Sequence, residues 1–357
     1  VTALVARLAR SPGGASIVAA GFALIAVMLV VVGGGYDLAH AATALWSGSV
    51  GGAYSFLSGT LVRATPLIIV GLAVALAFQA GVLNIGADGQ LLVGASVAVA
   101  VGLAMVRWPG WISIPLECIL GMAAGAVWAA IAAVLRRRFG VLEVISTLML
   151  NFVAVYAVSY LVRGPLQEPT HIYPYSASLG RAARLPLLIP GQQLHAGFVF
   201  AVALAAALWW VRRSTAIGFR IRVVGAGMAA AASAGRVRVE RVIFRTFLAS
   251  GAIAGLCGAV QATGVTYKLY DDFSPGYGYT AIAVALLARL DPLAVIAAGV
   301  FFGGLEAGGA AMQRDAGVPS GFVSVIEALV VLGVLGVDRA RFVAIERGGG
   351  LSREPSS

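Results

Sequence analysis

The chemistry of this chain begins with the run Gly81-Val82-Leu83-Asn84-Ile85-Gly86-Ala87-Asp88-Gly89-Gln90. Asn84 and Gln90 carry amides that donate and accept hydrogen bonds, and Asp88 adds a carboxylate acceptor. The run joins two apolar stretches and contains no basic residue, and its glycines argue for a broken helix. Unwound backbone there would offer amides and carbonyls to a solute, as discontinuous helices do in transport sites. A tight inner turn with Asn84 as a helix cap fits the same residues. A second set, Glu143, Thr147 and Asn151, recurs at i, i+4 and i+8 and so shares one helix face. A polar face on an apolar helix must look into a bundle or a watery path, and hydrogen bonding between helices would place it identically. Glu143 also follows the run Arg136-Arg137-Arg138 closely enough to pair with it at an interface.

Other chemistries are missing. No nucleophile–base pair or close pair of carboxylates suggests catalysis, and His40, His171 and His195 are too scattered to form a ligand set. Cys118 and Cys257 lie inside apolar runs, which indicates neither a disulfide framework nor a metal site. A phosphate-gripping GxxxxGK[ST] loop needs a lysine before Ser or Thr. The only lysine, Lys268, precedes Leu269, so this sequence carries no such ATPase site. No cofactor or metal is expected. Glu306 and Glu327 stand in late apolar runs, where each could line a path or cap buried backbone.

The elements that must hold these groups follow from composition. Of 357 residues 60% are apolar and 11% charged, with a mean hydropathy of +0.94. Soluble domains carry about 25% charged residues, so an all-α polytopic membrane protein is the expected class. About ten spans are predicted, near 15–34, 64–80, 90–106, 112–135, 142–162, 195–211, 242–264, 278–288, 292–311 and 321–337. The first reads as an uncleaved anchor, because its apolar core exceeds that of a signal peptide. The eighth is too short to cross alone and reads as a re-entrant half-helix. Glycine pairs at GxxxG spacing, Gly121/Gly125, Gly251/Gly255 and Gly299/Gly303, predict close helix packing.

Arginine distribution gives the orientation. With both termini cytoplasmic, 18 of the 25 Lys and Arg fall on inner segments. The expected organisation is a cytoplasmic N-terminal segment 1–14, a transmembrane domain 15–337 and a cytoplasmic tail 338–357. Residues 163–194, with five of the 13 prolines, form an outer cap, and the basic segment 212–241 with its alanine-rich centre forms an inner loop. The net charge of +10 sits in these inter-span segments, which points to a lipid bilayer rather than nucleic acid.

Three motifs in order carry a family resemblance. The run 81–90 is similar to the GxxNIGxEGQ signature of ABC importer permeases for sugars and nucleosides. Residues 143–151 with 160–165, and the stretch Gly276-Tyr277-Gly278-Tyr279-Thr280-Ala281-Ile282-Ala283-Val284-Ala285-Leu286-Leu287, resemble the longer permease of the nucleoside branch linked to basic membrane lipoproteins. Asp88 stands where the signature has Glu. The segment from Gly225 to Gly235 resembles the family's GANPEAARYAG stretch, with Ala229 at its usual Glu position.

The resemblance implies a permease subunit of a bacterial ABC importer in the cytoplasmic membrane, moving nucleosides by ATP-driven alternating access. Its substrate path would involve Asn84, Asp88, Gln90, Glu143, Thr147 and Asn151. An ATPase would dock at Ala229, Ala230, Ala231, Gly235 and Arg236. The implied partners are a second permease, an ABC ATPase with two nucleotide-binding halves and an extracytoplasmic substrate-binding lipoprotein. A ribose- or galactose-type monosaccharide permease shares the first motif. An ion-coupled secondary transporter is the alternative of another class.

Overall fold

The computed structural model describes residues 31–233 and 237–319, with 321, 322, 324, 325, 328 and 329 beyond them. Among these the chain is helical, with no sheet and three isolated bridges in its loops. The helices are α1 (Leu38–Ser49), α2 (Leu61–Gln79), α3 (Ala87–Ala104), α4 (Gly110–Phe139), α5 (Glu143–Arg163), α6 (Gly197–Ser214), α7 (Ala216–Ala226), α8 (Met228–Ser233), α9 (Val239–Gln261), α10 (Tyr277–Leu287) and α11 (Pro292–Asp315). Wide π turns open α2 at Ser55–Thr60 and close α9 at Ala262–Thr266.

The eight expected spans between residues 64 and 311 each have a helix in the structure. Among the described residues seven helices are long and apolar enough to cross a membrane, namely α2 to α6, α9 and α11, and α10 is a shorter apolar helix. Most of the expected spans 15–34 and 321–337 falls outside the described residues, as do the segments 1–14 and 338–357. Helix α1 was not expected, since its 12 residues make no span-length apolar run. Helix α4 extends past its predicted end through Arg136, Arg137 and Arg138. Arginines favour the negative end of a helix dipole, and Gly140 then stops the helix in a left-handed conformation at φ 67°.

The chain divides into two compact units. In one, residues 1–56 with 304–357, Val31, Ala41, Ala44, Met312 and Val318 form the core, and the Asp37 carboxylate caps α1 by accepting from the His40 amide at 2.7 Å. In the other, Leu57–Gly303, α2 is buried on nearly every side, which fits a helix with no polar stripe. Helices α3, α4 and α9 pack against each other through glycine. A Cβ on Gly125 would lie 2.7 Å from the Gly255 Cα, and one on Gly94 2.7 Å from the Gly255 carbonyl carbon. Gly121/Gly125 and Gly251/Gly255 thus bring α4 and α9 to backbone contact, the geometry small residues permit in lipid.

Candidate functional site

The run 81–90 leaves α2 after Gln79, turns at Gly81 with φ 74° and enters α3 at Ala87. Its depth is fixed by its partners. Asn84 donates to the Ser250 hydroxyl at 2.9 Å, and Ser250 lies near the midpoint of α9. Asn151, near the middle of α5, donates to the Ile85 carbonyl at 3.0 Å and accepts from the Gly89 amide at 2.9 Å. The break between α2 and α3 therefore sits at the level of mid-helix residues.

Buried polar groups at that level need partners, and here they supply each other. Asn84 and Gln90 form a reciprocal amide pair, Nδ2 to Oε1 at 2.9 Å and Nε2 to Oδ1 at 3.0 Å, and both are fully buried. The Asn84 oxygen also accepts from the Gly86 amide at 3.1 Å, closing the turn. Thr147 packs beside Gly86, where a Cβ would lie 2.8 Å from the Thr147 Cβ, while its hydroxyl donates back to the Glu143 carbonyl at 2.7 Å.

Asp88 joins a second break. Its Oδ1 accepts from the Ser274 hydroxyl at 2.7 Å and from the Gly278 amide at 2.9 Å. Gly278 lies in the first turn of α10, whose 11 residues extend only about 16 Å, half the apolar thickness of a bilayer. The positive ends of two helices, α3 and α10, thus meet at one carboxylate. Asn151 reaches this break too, donating to the Tyr279 hydroxyl at 3.1 Å, and Tyr279 is 44% exposed. It forms the open edge of an otherwise closed cluster.

Of the residues singled out by sequence, Asn84, Asp88, Gln90, Thr147 and Asn151 gather at this junction. Glu143 does not, and pairs with Arg136 at 3.3 Å. Glu306 is half-buried on α11, and Glu327 lies outside the described residues. Ser250, Ser274 and Tyr279 complete the cluster; the two serines carry no short-range signal in the sequence, and Tyr279 stands in the stretch 276–287 that carries the family resemblance without being singled out there. Glu117 was also missed. It lies fully buried on α4 against Gly102, both carboxylate oxygens lack a hydrogen-bond partner among the described residues, and the buried Ser113 hydroxyl one turn away lacks one there too.

The loops group at opposite helix ends. Segment 164–196 contains no span and is hydrogen-bonded to the end of α9, from Ser176 to Leu269 at 2.8 Å, Leu179 to Tyr267 at 2.7 Å and Leu185 to Thr263 at 2.9 Å. Arg163 pairs with Asp271 at that end. At the other end, the Gln79 amide donates to the Leu290 carbonyl and Arg212 pairs with Asp291 at 2.6 Å. Here α7 and α8 fold against the exit of α2. Ala231 is buried with Ala80 and Val82, whereas Ala229 and Ala230 are exposed. Gly235 and Arg236 lie outside the described residues.

Comparison with known proteins fits this architecture. The family model described as branched-chain amino acid transport system / permease component matches residues 56–335. The chain is 42% identical over 286 residues to a glucose ABC transporter permease protein of Haloferax volcanii, covering 77% of this chain and 75% of that protein. It is 38% identical over 324 residues to the guanosine ABC transporter permease protein NupP of Bacillus subtilis, covering 90% and 92%. A second guanosine permease protein of that organism, NupQ, is 29% identical over 250 residues, covering 68% and 78%. No solved structure matches. With its multi-pass helices, its paired polar junction and a family match over most of its length, the chain belongs to the branched-chain amino acid transport system permease family, as an ABC transporter permease component and not an ATPase.

Proposed function

We propose that this permease carries nucleosides across the membrane, driven by ATP hydrolysis on another chain. The observation that carries this reading is the likeness to the guanosine permease NupP over nearly the whole of both chains. A cluster rich in amides and hydroxyls suits a ring and ribose that both donate and accept hydrogen bonds. In this reading Asn151 and Tyr279 face the solute, Asn84, Asp88 and Gln90 hold the broken helices in place, and Thr147 and Glu143 continue the polar face toward the inner side. The likeness to NupQ as well as NupP supports a second permease as partner.

Membership of the family sets aside an ion-coupled carrier acting alone. An ABC permease works with an ATPase and a substrate-binding partner. We assign the ATPase to the α7–α8 face, at Ala229, Ala230, Ala231, Gly235 and Arg236. The burial of Ala231 with Val82, and of the Met228 methyl 3.0 Å from where a Gly81 Cβ would stand, supports a direct mechanical link from that face to the polar junction. We assign the binding protein to the cap 163–194, and both chain ends to the cytoplasm.

A glucose substrate is the second reading, favoured by the 42% identity to the Haloferax permease. Uptake of labelled guanosine, adenosine and glucose by cells expressing the complete transporter separates the two. Saturable nucleoside uptake that excess glucose leaves unchanged supports the proposal, and uptake of glucose alone overturns it.

A further inference from the structure

The end of α6 opens on a cleft outside the polar junction. A cleft of about 240 Å³ is lined by Trp209, Arg212, Arg213, Arg222 and Asp291. Arg212 is neutralised by Asp291 at 2.6 Å. The Arg213 guanidinium lies over the Trp209 ring at 5.5 Å, and neither Arg213 nor Arg222 pairs with a carboxylate among the described residues. Two further cations therefore face a cleft whose lining carboxylate, Asp291, is already paired with Arg212.

Its depth says what fills it. Helix α6 has 18 residues, or about 27 Å, close to the apolar thickness of a bilayer. Arg212 and Arg213 occupy its last turn and so reach headgroup level. Beside them Trp210, Ile217 and Phe219 are each more than half exposed, apolar groups that acyl chains would cover. Indole rings and guanidinium groups at a helix end, next to exposed apolar side chains, suit the phosphate and acyl chains of a phospholipid. Guanidinium groups grip phosphate oxygens in pairs. We propose that this cleft binds the phosphate of an anionic phospholipid, with Arg213 and Arg222 as its ligands and Trp209 as its wall.

The test uses the assembled transporter, purified in detergent and exchanged into nanodiscs of phosphatidylcholine containing phosphatidylglycerol. Native mass spectrometry then counts the lipids each complex retains. The wild type should retain phosphatidylglycerol in preference to phosphatidylcholine, and inorganic phosphate at millimolar concentration should not displace it. Each arginine near an anionic lipid surface contributes about fivefold, so R213Q/R222Q should reduce the preference more than tenfold. Equal retention of both lipids by the wild type overturns the site. So does an unchanged preference in R213Q/R222Q. Displacement by inorganic phosphate makes this a free-anion site and overturns the lipid assignment. Loss of the ATPase from R213Q/R222Q with lipid retention intact assigns the arginines to protein docking and also overturns it.

Discussion

The Asp88 carboxylate accepts the backbone amide of Gly278 at 2.9 Å across 190 positions of sequence, tying the first turn of α3 to the first turn of α10. Both helices begin inside the protein, and a negative charge between their positive ends lowers the energy of each. Asp88→Asn keeps an acceptor for Gly278 and Ser274 but removes that charge. It should assemble at near-normal abundance and transport poorly. Asp88→Ala loses the acceptor as well, and leaving buried partners unpaired costs on the order of 1–3 kcal/mol, so abundance and uptake should fall together. Quantitative blotting of membranes beside an uptake assay checks both, and equal behaviour of the two variants contradicts this account.

Gly255→Ala should abolish assembly. Its Cβ would meet the backbone of Gly121 and Gly125, which cannot yield as a side chain could. Gly52→Ala has no atom within 4 Å of its new methyl and should be silent. Size-exclusion profiles of the two purified variants make the comparison.

Acid should loosen the segment 164–196 through His195. This imidazole is buried, accepts from the Gly197 amide at 3.1 Å, and burial lowers its pKa from 6.5 to about 4. Between those values the unfolded chain binds a proton that the folded chain refuses, so stability is lost as pH falls from 6.5 toward 4. The loss is up to about 3 kcal/mol over the window. His195→Gln should flatten this part of a Tm-against-pH curve, and an equal slope in both proteins counts against His195 as the source.

Glu117 offers a gain. A buried carboxyl without a partner costs more than an apolar group of like size. Glu117→Met should stabilise the chain by about 1–3 kcal/mol, read as a higher Tm. A lower Tm would mean that the carboxyl is engaged.

Ser178→Cys checks the side of the membrane on which the cap lies. Ser178 is exposed, whereas Cys257 is buried and Cys118 partly so. A membrane-impermeant thiol reagent should label it in intact cells. Labelling only in inverted vesicles would reverse the orientation read from arginine counts.

What the sequence revealed and what it hid divide along the range of the forces involved. Hydropathy located α2 to α6, α9, α10 and α11 because burial in lipid acts on every residue of a span. Glycine and amide density exposed the break at 81–90, since backbone freedom is local. The partners of that break were hidden. Nothing near Ser250 or Tyr279 announces that one holds Asn84 and the other Asn151. Glu117 escaped because one carboxyl barely changes the average of a long apolar helix. Helices α7 and α8 were legible only as a basic, alanine-rich segment, because their short lengths are held by packing against Ala80 and Val82.

The glycine contacts among α3, α4 and α9 also bear on how such a machine can move. Where backbones touch, there is no cushion of side chains to shear, and sliding one helix past another would drive carbonyls into α-carbons. These three helices act as a single strut. The strokes of a transport cycle must be hinged elsewhere, at joints such as Gly81, where the chain is already bent and a short lever, the six-residue α8 of about 9 Å, already bears on it.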